Sequence, residues 1–256
     1  MSDSVRNIAA IAGKELRSYF ASPVAWVIMA LFALIFGYFF RVMLEMYLLE
    51  SMRSQFGAGA NVNERVIRPL LSNASVLILF LLPMLTMRAY AEEKRSGTIE
   101  LLLTSPLRDA EIVVGKFLGA MGMFAALMAV ALAYVAILFL YGNPEWRPIL
   151  TGFLGLFLMG GCFVALGLFL SSLTKNQTVA GAATFVIALL FWVIDWSADT
   201  GSGTFTEILR RLSITQPLDD FAKGVIDTKH VLYYLSFIGF GLFLTMKSVD
   251  TDRWRG

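Results

Sequence analysis

Apolar residues gather into six long runs along this 256-residue chain, separated by short polar or charged segments. Runs of about 18–25 residues with few charges can cross a bilayer as helices. Spanning strands would instead alternate over segments of roughly ten residues, and no such alternation occurs. The pattern predicts spans over Pro23–Phe40, Leu70–Met87, Ile112–Tyr141, Ile149–Leu170, Thr178–Ile194 and Val231–Met246. The expected fold class is all-α integral membrane, with six transmembrane helices in a single membrane domain over residues 1–256.

The segments between the runs predict further elements. Val5, Ile8, Ala12, Leu16 and Tyr19 recur at helical spacing, with Arg6, Lys14 and Arg17 off that stripe. An amphipathic helix over Val5–Phe20, lying in the headgroup layer, is expected. Ser22 and Pro23 form a start signal for the first span. Residues Arg41–Asn73 form an outer connection, with a helix expected over Met43–Met52. Pro83 falls inside the second span, where it removes a backbone hydrogen bond and is the candidate hinge, with an ordinary static kink as the alternative. Ser105-Pro106 repeats the start signal ahead of the third span, and Asp109 and Glu111 favour its positive end. Gly142-Asn143-Pro144 ends that span, and Ser171–Gln177 is expected as a tight turn. Asp195–Lys229 forms a second outer segment, with Leu218, Phe221, Ala222, Val225 and Ile226 on one helical face.

Composition narrows the function classes. Apolar residues make up 57% of the chain and charged residues 16%, with mean hydropathy +0.70. A net charge of +2 gives no case for nucleic acid. Cys162 is the single cysteine, which rules out an intrachain disulfide and leaves a small packing residue. The N-terminus carries no signal-peptide pattern. Twelve of the 21 Lys and Arg residues fall on one side of the six spans and cluster at span ends. The positive-inside rule then puts both termini in the cytoplasm.

The residues exclude several chemistries. Gly13-Lys14 and Gly115-Lys116 lack the rest of a phosphate-binding loop, so no ATPase motif is present. His230, the lone histidine, rules out a metal site of several imidazoles and reads as an interfacial residue. Ser171 and Ser172 are expected on the opposite side of the membrane from His230, against an intramembrane serine protease. Asp195 at a span edge and Asp199 outside it do not make an aspartyl pair. The span centres are almost free of charge, which argues against an ion-driven carrier.

The segment between the second and third spans carries the remaining chemistry. Glu92, Glu93, Lys94 and Arg95 form a charged turn, Gly97-Thr98 a turn and helix start, and Ile99–Thr104 a short amphipathic helix. Leu101, Leu102 and Leu103 make an apolar run that a partner groove would cover. Glu92, Glu93, Lys94, Arg95 and Glu100 would then set partner choice and register. The plain alternative is a solvated loop with positive anchors. Gly115, Gly119, Gly122, Ala126 and Ala129 line the third span with small residues, and Gly152, Gly155, Gly160, Gly161 and Gly167 the fourth. They are read as packing positions in preference to a conduit lining.

Three stretches together resemble the permease subunits of ABC-2 type transporters, most of all the gliding-motility-type group. They are Lys14–Pro23, the central motif of Phe80–Arg88 and Glu92–Leu103 with Gly115-Lys116, and Asp219–Asp227. Copper-enzyme maturation permeases share these features, so the resemblance does not carry a cargo. It implies a six-span permease with an N-terminal interfacial helix and a cytoplasmic coupling helix around Gly97–Thr104. Coupling to the ATPase would fall on Glu92, Glu93, Lys94, Arg95, Gly97, Thr98, Glu100, Leu101, Leu102 and Thr104. Two permeases, identical or paralogous, would face each other above two separate ATPase subunits holding ATP and Mg, with no cofactor on this chain. A further membrane protein with a large outer domain, an outer segment dipping back over Thr204–Asp227, and an inner-membrane exporter activity are also implied. A recruitment or signalling module without transport, or a secondary carrier, is the alternative.

Overall fold

A computed structural model describes residues 3–53, 61–103, 106–141, 144–200 and 213–255. The described residues are helical, with no strand among them. In chain order they form α1 (Asp3–Ala21), α2 (Pro23–Arg53), a π-helical turn (Asn63–Ile67) running into α3 (Arg68–Thr86), α4 (Ala91–Ser96) and α5 (Thr98–Leu103). Then come α6 (Asp109–Tyr141), α7 (Trp146–Leu173), α8 (Gln177–Thr200), α9 (Gln216–Ala222) and α10 (Thr228–Arg255). Six helices are long and apolar enough to cross a membrane: α2, α3 with its extensions, α6, α7, α8 and α10.

The spans exceed their expected limits because helices do not stop where apolar runs stop. α2 continues unbroken through Arg41 to Arg53, so the helix expected over Met43–Met52 is its own second half. An Arg41–Glu45 pair, 2.8 Å apart at i,i+4 spacing, supports that polar part. α7 likewise runs through Ser171 and Ser172 to Leu173, and the turn is confined to the residues before α8. There Asn176 Oδ1 accepts the amides of Thr178 and Val179 and opens α8. α9 ends at Ala222, before the expected apolar face does. Gly224 takes φ +90° and turns the chain, leaving Val225 and Ile226 exposed.

α3 and α7 form the centre. Two thirds of the apolar window of each is buried, against 17% for α8 and α10 at the periphery. Lipid tails are as apolar as Leu, so close backbone approach rather than water exclusion holds such helices together. The α7 glycines show how. A Cβ on Gly152, Gly155, Gly160, Gly161 or Gly167 would come within 3.0 Å of Leu71, Phe221, Phe124, Ile238 or Thr86 respectively. Each glycine thus admits a different neighbour, on α3, α9, α6, α10 and α3 again, which makes them packing positions as expected.

α1 packs lengthwise on α6, in the same direction. Ser4 and Asn7 bond Glu111, Ile11 lies against Gly115, Glu15 against Gly119 and Leu16 against Gly122. The packed face therefore includes Ser4, Asn7, Ile11 and Glu15, while Val5 from the expected stripe is 44% exposed. Glycine grooves on α6 and polar bonds selected this face, not apolar periodicity alone. At 33 residues α6 is about 50 Å long, well beyond a ~30 Å hydrocarbon layer. Its first turns, with α1 alongside, extend past the span ends at Pro23 and Met87.

The opposite end is closed by polar clasps. Asn63 exchanges two hydrogen bonds with the backbone of Glu145, at 2.8 and 3.0 Å. Arg68 reaches Asp219 of α9 at 2.5 Å, and Tyr234 donates to the Ile214 carbonyl at 2.8 Å. The first part of the Thr204–Asp227 stretch expected to dip inward, residues 204–212, lies outside the described residues, and the rest contains α9 and the turn at Gly224.

Candidate coupling site

α3 ends at Thr86, three residues after Pro83, which is buried inside it. Lacking an N–H, Pro83 leaves the Leu79 carbonyl without its helical donor. Met87 N–H still bonds the Pro83 carbonyl at 3.0 Å, and the chain turns through residues 87–90 into α4. Gly97, at φ +73°, takes the left-handed conformation that stops α4 and re-aims the chain into α5. Thr98, expected as a cap, is instead the first residue of α5, and its Oγ1 faces Ser96 Oγ at 2.9 Å.

Lys116, seven residues into α6, anchors this segment. Its side chain is 2% exposed. The ammonium donates to Glu15 Oε1 on α1 at 2.9 Å, Glu93 Oε1 on α4 at 2.8 Å and the Ala89 carbonyl at 2.8 Å. An ammonium has three donors, and all three are used. It also lies 5.0 Å from the centre of the Tyr90 ring, within cation–π range. Three segments distant in sequence are thereby fixed to one buried charge.

Ser171 near the end of α7 holds the same turn from the other side. Its Oγ accepts the amides of Tyr90 and Ala91, both at 3.1 Å, and donates to the Met87 carbonyl at 3.0 Å. Lys94 donates to the Ser172 carbonyl. Arg88 Nη1 donates to Ser22 Oγ at 3.3 Å, which ties the α1–α2 junction to the same place. Burial, and then the carboxylates of Glu15 and Glu93, push the Tyr19 phenol well above its ordinary value, so it stays neutral.

The residues singled out in the sequence divide into two sets. Glu93 and Lys94 are turned inward and held within the chain. Glu92, Arg95, Gly97, Thr98 and Glu100 are exposed, while Ile99 is buried beneath them. The side chains of Leu101, Leu102 and Leu103, and all of Thr104, lie outside the described residues. Glu15, Lys116 and Ser171 were not identified as members of the site. One signal existed: a lysine inside an otherwise apolar helix requires a buried partner.

Elsewhere the chemistry is quiet. His230 Nε2 lies 3.2 Å from Asp220 Oδ2, at the end of the bundle away from Ser171. Ser248, eighteen residues along α10 from His230, donates to the Ser172 carbonyl at 3.2 Å. Eighteen helical residues span about 27 Å, which rules out a pair of His230 with Ser171 or Ser172. Among the described residues no group of three His, Cys, Asp or Glu could hold a metal ion. Cys162 is buried against the Tyr234 carbonyl at 3.7 Å.

A sequence model of the ABC-2 family transporter proteins matches residues 9–225, from α1 through α9. The chain belongs to that family, and its six apolar helices make it a multi-pass membrane member. It is also similar to the probable ABC transporter permease protein NosY of Pseudomonas aeruginosa, 35% identical over 153 residues. That match covers 53% of this chain and 55% of NosY, so it spans about half the length of that relative.

Proposed function

We propose that this chain is the permease subunit of an ATP-driven ABC exporter in the cytoplasmic (inner) membrane. It forms the translocation path with a second permease, identical or paralogous, and both termini face the cytoplasm. Separate ATPase subunits, which hold ATP and Mg, dock against α4–Gly97–α5. This chain hydrolyses nothing itself. Membership in the gliding-motility-type group, with a partner bearing a large outer domain, is part of the same reading.

The observation that carries the reading is the bonding of one buried ammonium, Lys116, to α1, α4 and the Ala89 carbonyl at once. A solvated loop needs no such anchor. With Ser171 fastening the same turn to α7, α4 cannot move without the membrane helices. ATP closes the partner ATPase dimer and pushes on the exposed side chains of Glu92, Arg95 and Glu100. The push passes through Glu93 to Lys116 and tilts α6, while Pro83 lets the end of α3 bend. Either a channel or a lateral gate opens between the two permeases.

The complex purified in mild detergent tests this. Glu100→Arg combined with Leu102→Asp is expected to release the ATPase subunits and abolish nucleotide-dependent transport. Unchanged docking and unchanged ATPase activity would remove the coupling assignment. Transport that persisted without ATP and collapsed with an ion gradient would mark a secondary carrier instead.

A further inference from the structure

A cavity of about 270 Å³ opens between α1, the start of α2, the end of α3 and α4. Ser22 and Ala25, from the α1–α2 junction and the first turn of α2, line it together with Met84 and Arg88. It therefore lies at the level where two spans leave the hydrocarbon. Trp26 beside it has an exposed ring and donates Nε1–H to the Phe20 carbonyl at 2.9 Å, the placement of a membrane-interface tryptophan.

The lining carries both signs of charge. Lys14, Arg88 and Lys116 supply cations, and Glu15, Glu92 and Glu93 supply carboxylates, with Lys116 and Glu15 already paired to each other. Two of these groups end in buried atoms without a hydrogen-bond partner, Arg88 Nε and Glu93 Oε2. Buried polar atoms are paired in the great majority of cases, so each calls for a specific occupant. Arg88 Nε–H needs an acceptor, and Glu93 Oε2 needs a donor. Ile28 and Met84 form an apolar wall beside them. The volume is slightly below the roughly 300 Å³ lower bound for a drug-sized ligand, so it suits a headgroup and not a whole lipid.

We propose that this cavity binds a phosphate ester carrying a primary amine, the headgroup of a phosphatidylethanolamine. The phosphate takes the Arg88 guanidinium and Lys14, and the ammonium donates to Glu93 Oε2 and Glu92. The acyl chains leave along Ile28 and Met84 into the bilayer. A choline headgroup has no N–H for Glu93. A glycerol headgroup supplies phosphate without a positive charge for Glu92 and Glu93. This proposal stands on the cavity and does not rest on the coupling reading.

The test uses the purified protein, stripped of lipid in detergent and supplied with phosphatidylethanolamine, phosphatidylcholine or phosphatidylglycerol of equal chain length. Retained lipid is counted by native mass spectrometry and the thermal midpoint is read in parallel. Phosphatidylethanolamine is expected to be retained about tenfold over the other two, the selectivity of one charge-assisted hydrogen bond, and to raise the midpoint. Arg88→Gln and, separately, the exposed Glu92→Gln are each expected to reduce that preference while the lipid-free midpoint shows the variant folded. A parallel arm with soluble O-phosphoethanolamine separates headgroup from lipid. Protection by it at millimolar concentration assigns the site to the headgroup alone, and protection by the lipid only assigns it to headgroup and chains together. Equal retention of the three lipids, a preference for phosphatidylglycerol, or an unchanged preference in both variants would overturn the proposal.

Discussion

Lys116 Nζ and Glu15 Oε1 meet at 2.9 Å, with side chains 2% and 14% exposed. Their separation in sequence is 101 residues. Removing one member of a buried ion pair leaves the other charged and unpaired, which costs about 3–5 kcal/mol. Here Lys116→Ala would strand two carboxylates, Glu15 and Glu93. We expect it to lower the thermal midpoint of the purified protein far more than Glu15→Gln, which leaves the ammonium with Glu93 and the Ala89 carbonyl. A double-mutant cycle over Lys116 and Glu15 measures the coupling. A coupling energy near zero would show that the two groups act independently.

Ser171 holds the amides of Tyr90 and Ala91, two residues with no exposed surface. Ser171→Ala leaves both N–H groups buried without an acceptor, at about 1–3 kcal/mol for a lost partner. Hydrogen exchange at these two amides should accelerate while exchange within α7 stays slow. Acceleration spread evenly over the bundle would mean that the hydroxyl stabilises the whole fold and not this turn.

The six spans were legible because about twenty apolar residues in succession permit few structures in a bilayer. The charged turn was legible because five charges in nine residues, Glu92 to Glu100, interrupt that pattern. Lys116 was not, because a single lysine beside a glycine reads as a span-end anchor until its partners are brought to it. Glu15 was hidden for a related reason. It lies off the stripe Val5–Ile8–Ala12–Leu16–Tyr19, and its burial depends on the groove that Gly115 and Gly119 open on α6. Helix limits such as Arg53 and Leu173 were missed because polar residues continue a helix at little cost once the span has nucleated it.

The groove on α6 makes a paired prediction. A Cβ at Gly119 would fall within 3.0 Å of Glu15 Cβ and close to the Ala12 carbonyl, neither of which can swing away. Gly119→Ala should therefore force α1 off α6 and cost about 1–3 kcal/mol, the usual range for overpacking. Gly13, on α1 itself, sits in a helix interior, and a Cβ added there would meet nothing within 4 Å. Gly13→Ala should stabilise by up to about 1 kcal/mol. Thermal midpoints of the two variants with opposite signs support the packing. A Gly119→Ala protein as stable as the parent would show that α1 docks elsewhere.

The α9 clasp gives a pH dependence with a definite sign. Partial burial pushes the Asp219 carboxyl up, but hydrogen bonds from Lys223 and Arg68 more than offset it and hold the group below its ordinary value. A carboxylate depressed in the folded state adds stability that is complete above its unfolded value, near 3.9. That stability is lost as pH falls through the lower folded value. Asp219→Asn removes the contribution at neutral pH, so its midpoint should lie below the parent's at pH 7. The two curves should converge as the solution is made acidic. The residue is about half exposed, so the gap should also shrink in high salt. Parallel curves down to pH 3 would mean that Arg68 and Lys223 gain nothing from Asp219, and that α9 is held by Thr151 Oγ1, 2.7 Å from the Phe221 carbonyl, and by the burial of Phe221 against Gly155.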